Sequence, residues 1–338
     1  MSEAYYRSLK SICFSVLLVC VFAQFVFGRT NETRARTFRV AFIGFVGSMA
    51  KSDHEQMESA LVDVIAKDSR AVLIEQSIVR PALTGVGYAG SINLTKDEAR
   101  KIGAAIGCDF FLIGKAEEIT RSVREGESHE EAFAGVMIVN GRTGALASFD
   151  FLSSKAGSKE EALQSLITRV QVRAAAYVDQ MSEINQTPTK LGSINHQPSD
   201  RDSWELVEDI PEAESSRADG FNPPEFLNRM KPEYTSDAET ADITATVEAM
   251  VVFGATGEIR GVEITRWAGF GLDESSARAI RQLKFKPATR DGAPINVRAL
   301  IRYNFRRVVE SGERSEPAKA DKPVPDFREL FKPIYRRP

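Results

Sequence analysis

Residues 247–305 leave this chain little freedom in what it can fold into. Residues 249–253 and 259–264 are apolar, β-branched runs on either side of Gly254-Ala255-Thr256-Gly257, so they read as two strands and a tight turn. The apolar parity switches at Gly261, between Ile259 and the pair Val262 and Ile264, as a β-bulge would make it. Residues 272–283 then set Leu272, Ser276, Ile280 and Leu283 on one helical face, with the charges opposite. That face needs a sheet. A last strand supplies it, because Ile295, Val297, Ala299, Ile301, Tyr303 and Phe305 alternate with Asn296, Arg298, Arg302 and Asn304 behind turn residues Asp291-Gly292.

The N-terminal body, residues 36–184, has a different rhythm. Residues 38–45 form a strand by content, and Met57, Leu61, Val64 and Ile65 then recur at helical spacing. Residues 71–75 return as a short buried strand. Thr95-Lys96-Asp97-Glu98 is a capping box opening a helix that ends at Gly107. A strand over 108–117 follows, then strands over 133–139 and 145–151 hinged on Asn140-Gly141-Arg142-Thr143-Gly144. Ser158-Lys159-Glu160-Glu161 is a second capping box, and the long helix behind it turns Ala162, Leu163, Leu166, Ile167, Val170 and Ala174 inward. The pattern describes an α/β domain of two or three layers.

Between the two bodies, residues 185–222 lose periodicity and carry Pro188, Pro198 and Pro211 among many Ser, Asp and Glu residues. They read as an extended acidic linker reaching ~120 Å at ~3.3 Å per residue. The fold expected is therefore α+β: two small α/β sandwich domains, 36–184 and 223–308, joined by a disordered linker. The second is a three-stranded antiparallel sheet with one helix. The polar tail 309–338 is expected to be disordered, with 326–331 its only stretch able to dock.

At the N-terminus, Arg7 and Lys10 precede the apolar run 12–27, and Val26-Phe27-Gly28 offers short residues where a signal peptidase reads. Residues 1–28 are thus a signal peptide or an N-terminal anchor. The run would span ~24 Å as a helix, against a hydrocarbon core of ~30 Å, and Arg29 directly after it is awkward for cleavage. Either way the body is exported. Cys13 and Cys20 lie in that run, leaving Cys108 alone in the body and no intrachain disulfide there. The 338 residues carry 44 Lys and Arg against 47 Asp and Glu, a net charge of −3, so no global field draws the chain to nucleic acid.

Chemistry-bearing patterns are few. Gly85-Val86-Gly87-Tyr88-Ala89-Gly90 spells a dinucleotide fingerprint, but it follows the second strand rather than the first and reads as a flexible loop between Pro81 and Leu94. His54, His129 and His196 have no partners at metal-ligand spacing, and the charged run 121–131 reads as a solvated hairpin end. The pairs Glu117-Glu118 and Glu160-Glu161 sit at element ends rather than in a desolvated cleft. Asn31, Asn93 and Asn185 head matches to glycosylation acceptors, which matter only in a eukaryotic source. The expectation is no enzyme, no cofactor, no metal and no catalytic residue.

Pro232-Glu233-Tyr234, Gly257, Leu272-Asp273-Glu274 and Phe285-Lys286-Pro287-Ala288, in that order over about eighty residues, resemble the C-terminal domain of TonB energy transducers. The resemblance implies a domain that grips a peptide of a TonB-dependent outer-membrane receptor by strand addition and couples it to proton-driven motor proteins of the inner membrane. It also implies contacts at Lys231, Pro232 and Tyr234 and along the backbone of Val297, Arg298, Ala299, Leu300 and Ile301, so that Ala299→Pro should remove a strand donor. Thr235 stands where a second proline is common in that family. A homodimer through the same domain, or a covering tail, are rival uses of the edge. Residues 72–75, Ala89-Gly90 and 99–114 are similar to the periplasmic N-terminal modules of the CsgG and TolB group, which implies scaffolding in an envelope complex. The other role left open is a soluble periplasmic adaptor that passes on no energy.

Overall fold

The computed structural model describes residues 37–124, 127–186, 207–209 and 220–307. The segment 1–28, the tail after 308 and most of the stretch 185–222 lie outside these. The described residues, all from Thr37 onward, form one compact unit.

The first sheet has the order β2-β1-β3-β4-β5. Strand β1 (Phe38–Val46) runs parallel to β2 (Ala71–Leu73) and to β3 (Phe110–Arg124), while β4 (Glu127–Asn140) and β5 (Leu146–Ala156) continue antiparallel. The run Phe110-Phe111-Leu112-Ile113 is apolar without alternation because both faces of β3 are covered. On one face α1 (Lys51–Lys67) and α4 (Lys159–Gln186) bury Leu61, Ile65, Leu166 and Val170 against Phe42 and Leu112. On the other, α2 (Gln76–Gly85) and α3 (Lys96–Ile106) bury Val79, Ile102 and Ile106 against Phe111 and Ile113.

Local signals explain the boundaries. The Thr95 hydroxyl accepts from Glu98 N at 3.1 Å while the Glu98 carboxylate accepts from Thr95 N at 2.8 Å, and Gly107 ends α3 in the left-handed region. Asn140 Oδ1 accepts from the backbone of Arg142 and Thr143, forming the β4–β5 turn. Two expectations need correcting. Residues 76–85 are helical with Pro81 inside, because burying Val79 outweighs the backbone bond a proline removes. Residues 121–124 and 127–131 are paired strand, continuing β3 and β4 to Arg124 opposite Glu127, rather than loop.

The second sheet has the order β10-β9-β14-β6, built from β9 (Ala245–Phe253), β10 (Ile259–Arg266), β14 (Val297–Phe305) and the two-residue β6 (Glu208–Asp209). The expected bulge lies between Ile259 and Gly261. Helix α6 (Leu272–Arg281) packs Ala277 and Ile280 on Val251, Phe253 and Ala299. Short ribbons frame it: β7 (Phe221–Asn222) beside β12 (Ala288–Arg290) and β13 (Ala293–Ile295), and β8 (Glu225–Phe226) beside β11 (Phe285–Lys286). The turn at Asp291-Gly292, φ 50° and 85°, joins β12 to β13 rather than leading straight into the last strand. Asn296 then interrupts the chain, its side-chain oxygen accepting from Ala255 N at 2.9 Å.

The expectation of separately cored domains on a free linker is corrected. Trp267, Phe270, Leu272 and Val247 of the second module sit in one buried cluster with Phe111, Phe133, Met137 and Val139 of the first. Trp267 Nε1 donates to Gly144 O at 3.1 Å, and the Phe270 ring lies 4.7 Å from that of Phe149. Asn93 stitches the modules together: its side chain donates to Thr246 O and Trp267 O and accepts from Thr246 N. That amide is therefore no glycan acceptor. Parts of the linker stretch are ordered too, since 185–186 belong to α4 and 208–209 to the second sheet.

Candidate functional site: the outer flank of the last strand

Strand β14 is held on one side by β9 along its whole length, from Val297 opposite Phe253 to Phe305 opposite Ala245. On its other side Glu208 pairs with Val297 and Asp209 with Arg298, in parallel. Beyond Arg298, no strand among the described residues lies on that flank.

Which groups face outward follows from one bond. Glu208 N donates to Asn296 O at 3.2 Å, and a strand residue points its N–H and C=O to the same side, alternating along the chain. The even-numbered residues therefore face the outer flank and the odd-numbered ones face β9. Of the residues expected to grip a guest, Arg298 and Leu300 present outward amides, whereas Val297, Ala299 and Ile301 spend theirs on β9. The alternation extends the open set to Arg302 and Asn304, which the sequence reading left out. A proline at Ala299 would break the ladder to β9 rather than the outer face.

The lead-in residues come close to the far end of the same strand. Tyr303 Oη donates to Met230 O at 3.3 Å, and the Tyr234 ring stacks on Phe305 with centroids 6.4 Å apart. Lys231 is exposed and Pro232 half-buried. Tyr234 faces inward: its hydroxyl lies 2.7 Å from Ile243 O and 3.1 Å from Ala238 O, and burial raises its pKa. Thr235 caps the short helix α5 (Ser236–Thr240), accepting from Ala238 N at 3.2 Å and donating to Phe270 O. A proline has no hydroxyl for either bond, which accounts for threonine there.

Arginines line the flank. Arg290 Nη2 is 2.6 Å from Glu208, Arg298 forms a fork on Asp209 at 2.8 and 3.0 Å, and Arg302 Nε donates to Glu248 at 2.8 Å. Elsewhere a cleft of about 340 Å³ between α1 and α2 is lined by Phe42, Glu58, Val62, Gln76 and Arg80. Burial raises the Glu58 pKa there. No group of three or more His, Cys, Asp or Glu residues among the described residues could hold a metal ion.

Residues 230–306 match the family model for the Gram-negative bacterial TonB protein C-terminal. The second module is similar to a TonB C-terminal domain over those residues. No curated protein matches the chain. Among solved structures, the hypothetical protein CT253 from Chlamydia trachomatis is similar over 42% of this chain and 98% of its own, at 10% identity and a TM-score of 0.29. Lipoprotein GNA1162 from Neisseria meningitidis is similar over 41% of this chain and 99% of its own, at 16% identity and a TM-score of 0.31. The LpoB C-terminal domain from Salmonella enterica covers 35% of this chain and 83% of its own, at 13% identity and a TM-score of 0.26. Among the described residues no helix is long and apolar enough to cross a membrane.

Proposed function

We propose that this chain is an exported, periplasmic TonB-family protein that takes an extended segment of a TonB-dependent outer-membrane receptor alongside β14 and couples that transporter to inner-membrane energy. The observation that carries the reading is that, among the described residues, no strand lies on the flank of β14 beyond Arg298, in a domain similar to the TonB C-terminal family. Strand addition suits it because main-chain bonds need no particular guest side chain. Each bond to Leu300, Arg302 or Asn304 nets about 0.5–1.5 kcal/mol before the cost of association is subtracted, so the grip is reversible. Lys231 and Pro232, near the far end of the strand, extend the contact.

The parity of the strand sets the test. Leu300→Pro deletes an outward donor and leaves the ladder to β9 intact, the one way an edge strand tolerates proline. It is expected to abolish pull-down by a receptor plug segment while leaving the thermal transition in place. Ala299→Pro should instead lower the transition itself. Retention of the plug segment by Leu300→Pro at wild-type strength would sink strand addition on this flank.

A second reading, a soluble periplasmic adaptor, is favoured by the shared core, which makes the N-terminal module a rigid handle for an envelope complex. N-terminal sequencing of the mature chain separates the two, since a start near Arg29 removes the tether that force transmission requires.

A further inference from the structure

The outer flank of β14 already holds a guest at one end, and that guest belongs to the chain. Glu208 and Asp209 run parallel to Val297 and Arg298, and Glu208 N donates to Asn296 O at 3.2 Å. Arg290 meets Glu208 at 2.6 Å and the Arg298 fork takes both oxygens of Asp209 at 2.8 and 3.0 Å. This is the geometry expected of an added strand: main chain on the sheet edge, side chains read by the flanking residues. We propose that Glu208–Asp209 is a built-in placeholder on this edge, and that the partner segment displacing it is an extended acidic peptide running in the same direction as β14. The inference rests on reading β14 as the partner edge, and adds to it the guest's charge, its direction and a built-in competitor.

The contact is constructed to yield. Among the described residues it is two residues long, and both ion pairs are partly exposed, where such pairs contribute little. Holding it in the same chain gives it a high effective concentration, so it lowers the apparent affinity of any guest from solution. Once it leaves, Arg290 and Arg298 lose their carboxylates together, and a guest carrying carboxylates at those two positions restores them.

The test uses the full chain and a fluorescein-labelled peptide copying residues 203–210, Ser-Trp-Glu-Leu-Val-Glu-Asp-Ile. Disarming the placeholder with Glu208→Lys and Asp209→Lys is expected to tighten binding of this peptide about tenfold, about 1.4 kcal/mol. The same peptide with its acidic residues replaced by lysine should fail to bind, as should the original peptide to a chain carrying Arg298→Glu. Equal affinity in the wild-type chain and the disarmed variant overturns the placeholder, and equal binding of the lysine peptide overturns the acidic guest. Glu208→Gln with Asp209→Asn, which keeps shape and hydrogen-bonding capacity, guards against a folding artefact and should move affinity in the same direction. A receptor plug segment measured in parallel separates the two ideas. If only the 203–210 peptide binds, the receptor reading falls and the placeholder stands. If the plug segment binds equally well to wild type and disarmed variant, the placeholder falls and the receptor reading stands.

Discussion

Asp273 shows how much a single side chain can set at the module boundary. Its carboxylate is buried and accepts from Ala268 N at 2.9 Å and Gly269 N at 2.8 Å, fixing the turn that carries Trp267 and Phe270 into the shared core. Burial pushes its pKa up to about 7, against the two hydrogen bonds that favour the charged form. The native state therefore keeps a proton between about pH 4 and pH 7 where the unfolded chain has lost it. The resulting stability is complete below about pH 4 and is lost as pH rises through about 7, a change on the order of 1–4 kcal/mol. Asp273→Asn removes this titration and leaves one backbone donor unpaired. The stability gap between wild type and variant is expected to be widest below about pH 4 and to narrow steadily toward about pH 7.5. Denaturant titrations at several pH values read it directly, and a constant gap would mean that Asp273 titrates as it does in the unfolded chain.

At the scale of elements, the three consecutive residues Gly269, Phe270 and Gly271 all adopt left-handed backbone, with φ of 71°, 53° and 72°. For phenylalanine that conformation is strained, and it persists because the ring is clamped by Phe149 and Phe151 above a bare Gly135. A Cβ on Gly135 would come within 2.7 Å of that ring, so Gly135→Ala is expected to cost about 1–3 kcal/mol and to loosen Phe270 without touching β14. Fluorescence of Trp267, which sits in the same cluster, should report the loosening; an unchanged denaturation midpoint would show that the ring relaxes freely. Little of this was legible in the sequence. The capping box at Thr95 and the turns at Asn140 and Asp291 were readable because each is a local device whose residues lie within five positions of one another. Helix α2 was hidden by Pro81, since its justification is Val79 meeting a sheet contributed by distant residues. The last strand and its alternation were plain in 297–305, but the residues with outward amides were not. Their parity depends on the direction of β9 and on a bond from Glu208, in a stretch whose composition suggested no structure at all.

For the whole molecule, the consequence is that the two modules act as one body. The interface consists of buried aromatic rings, the Asn93 amide and backbone carbonyls of 240–241 capped by Arg121 and Lys115 of β3, so a load on the first sheet reaches β14 through packed atoms. On the transducer reading that rigidity carries force to the edge, and on the adaptor reading it orients the edge relative to whatever the first module holds. Both readings require that the two modules unfold together. Wild type is therefore expected to give a single calorimetric transition whose van't Hoff and calorimetric enthalpies agree. Trp267→Ala removes a buried indole and its bond to Gly144 O, which should cost about 3–5 kcal/mol. Because the loss falls between the modules rather than within either sheet, it should divide the single transition into two, the second module melting first. Two transitions in the wild-type chain would refute the common core and return the modules to independent bodies.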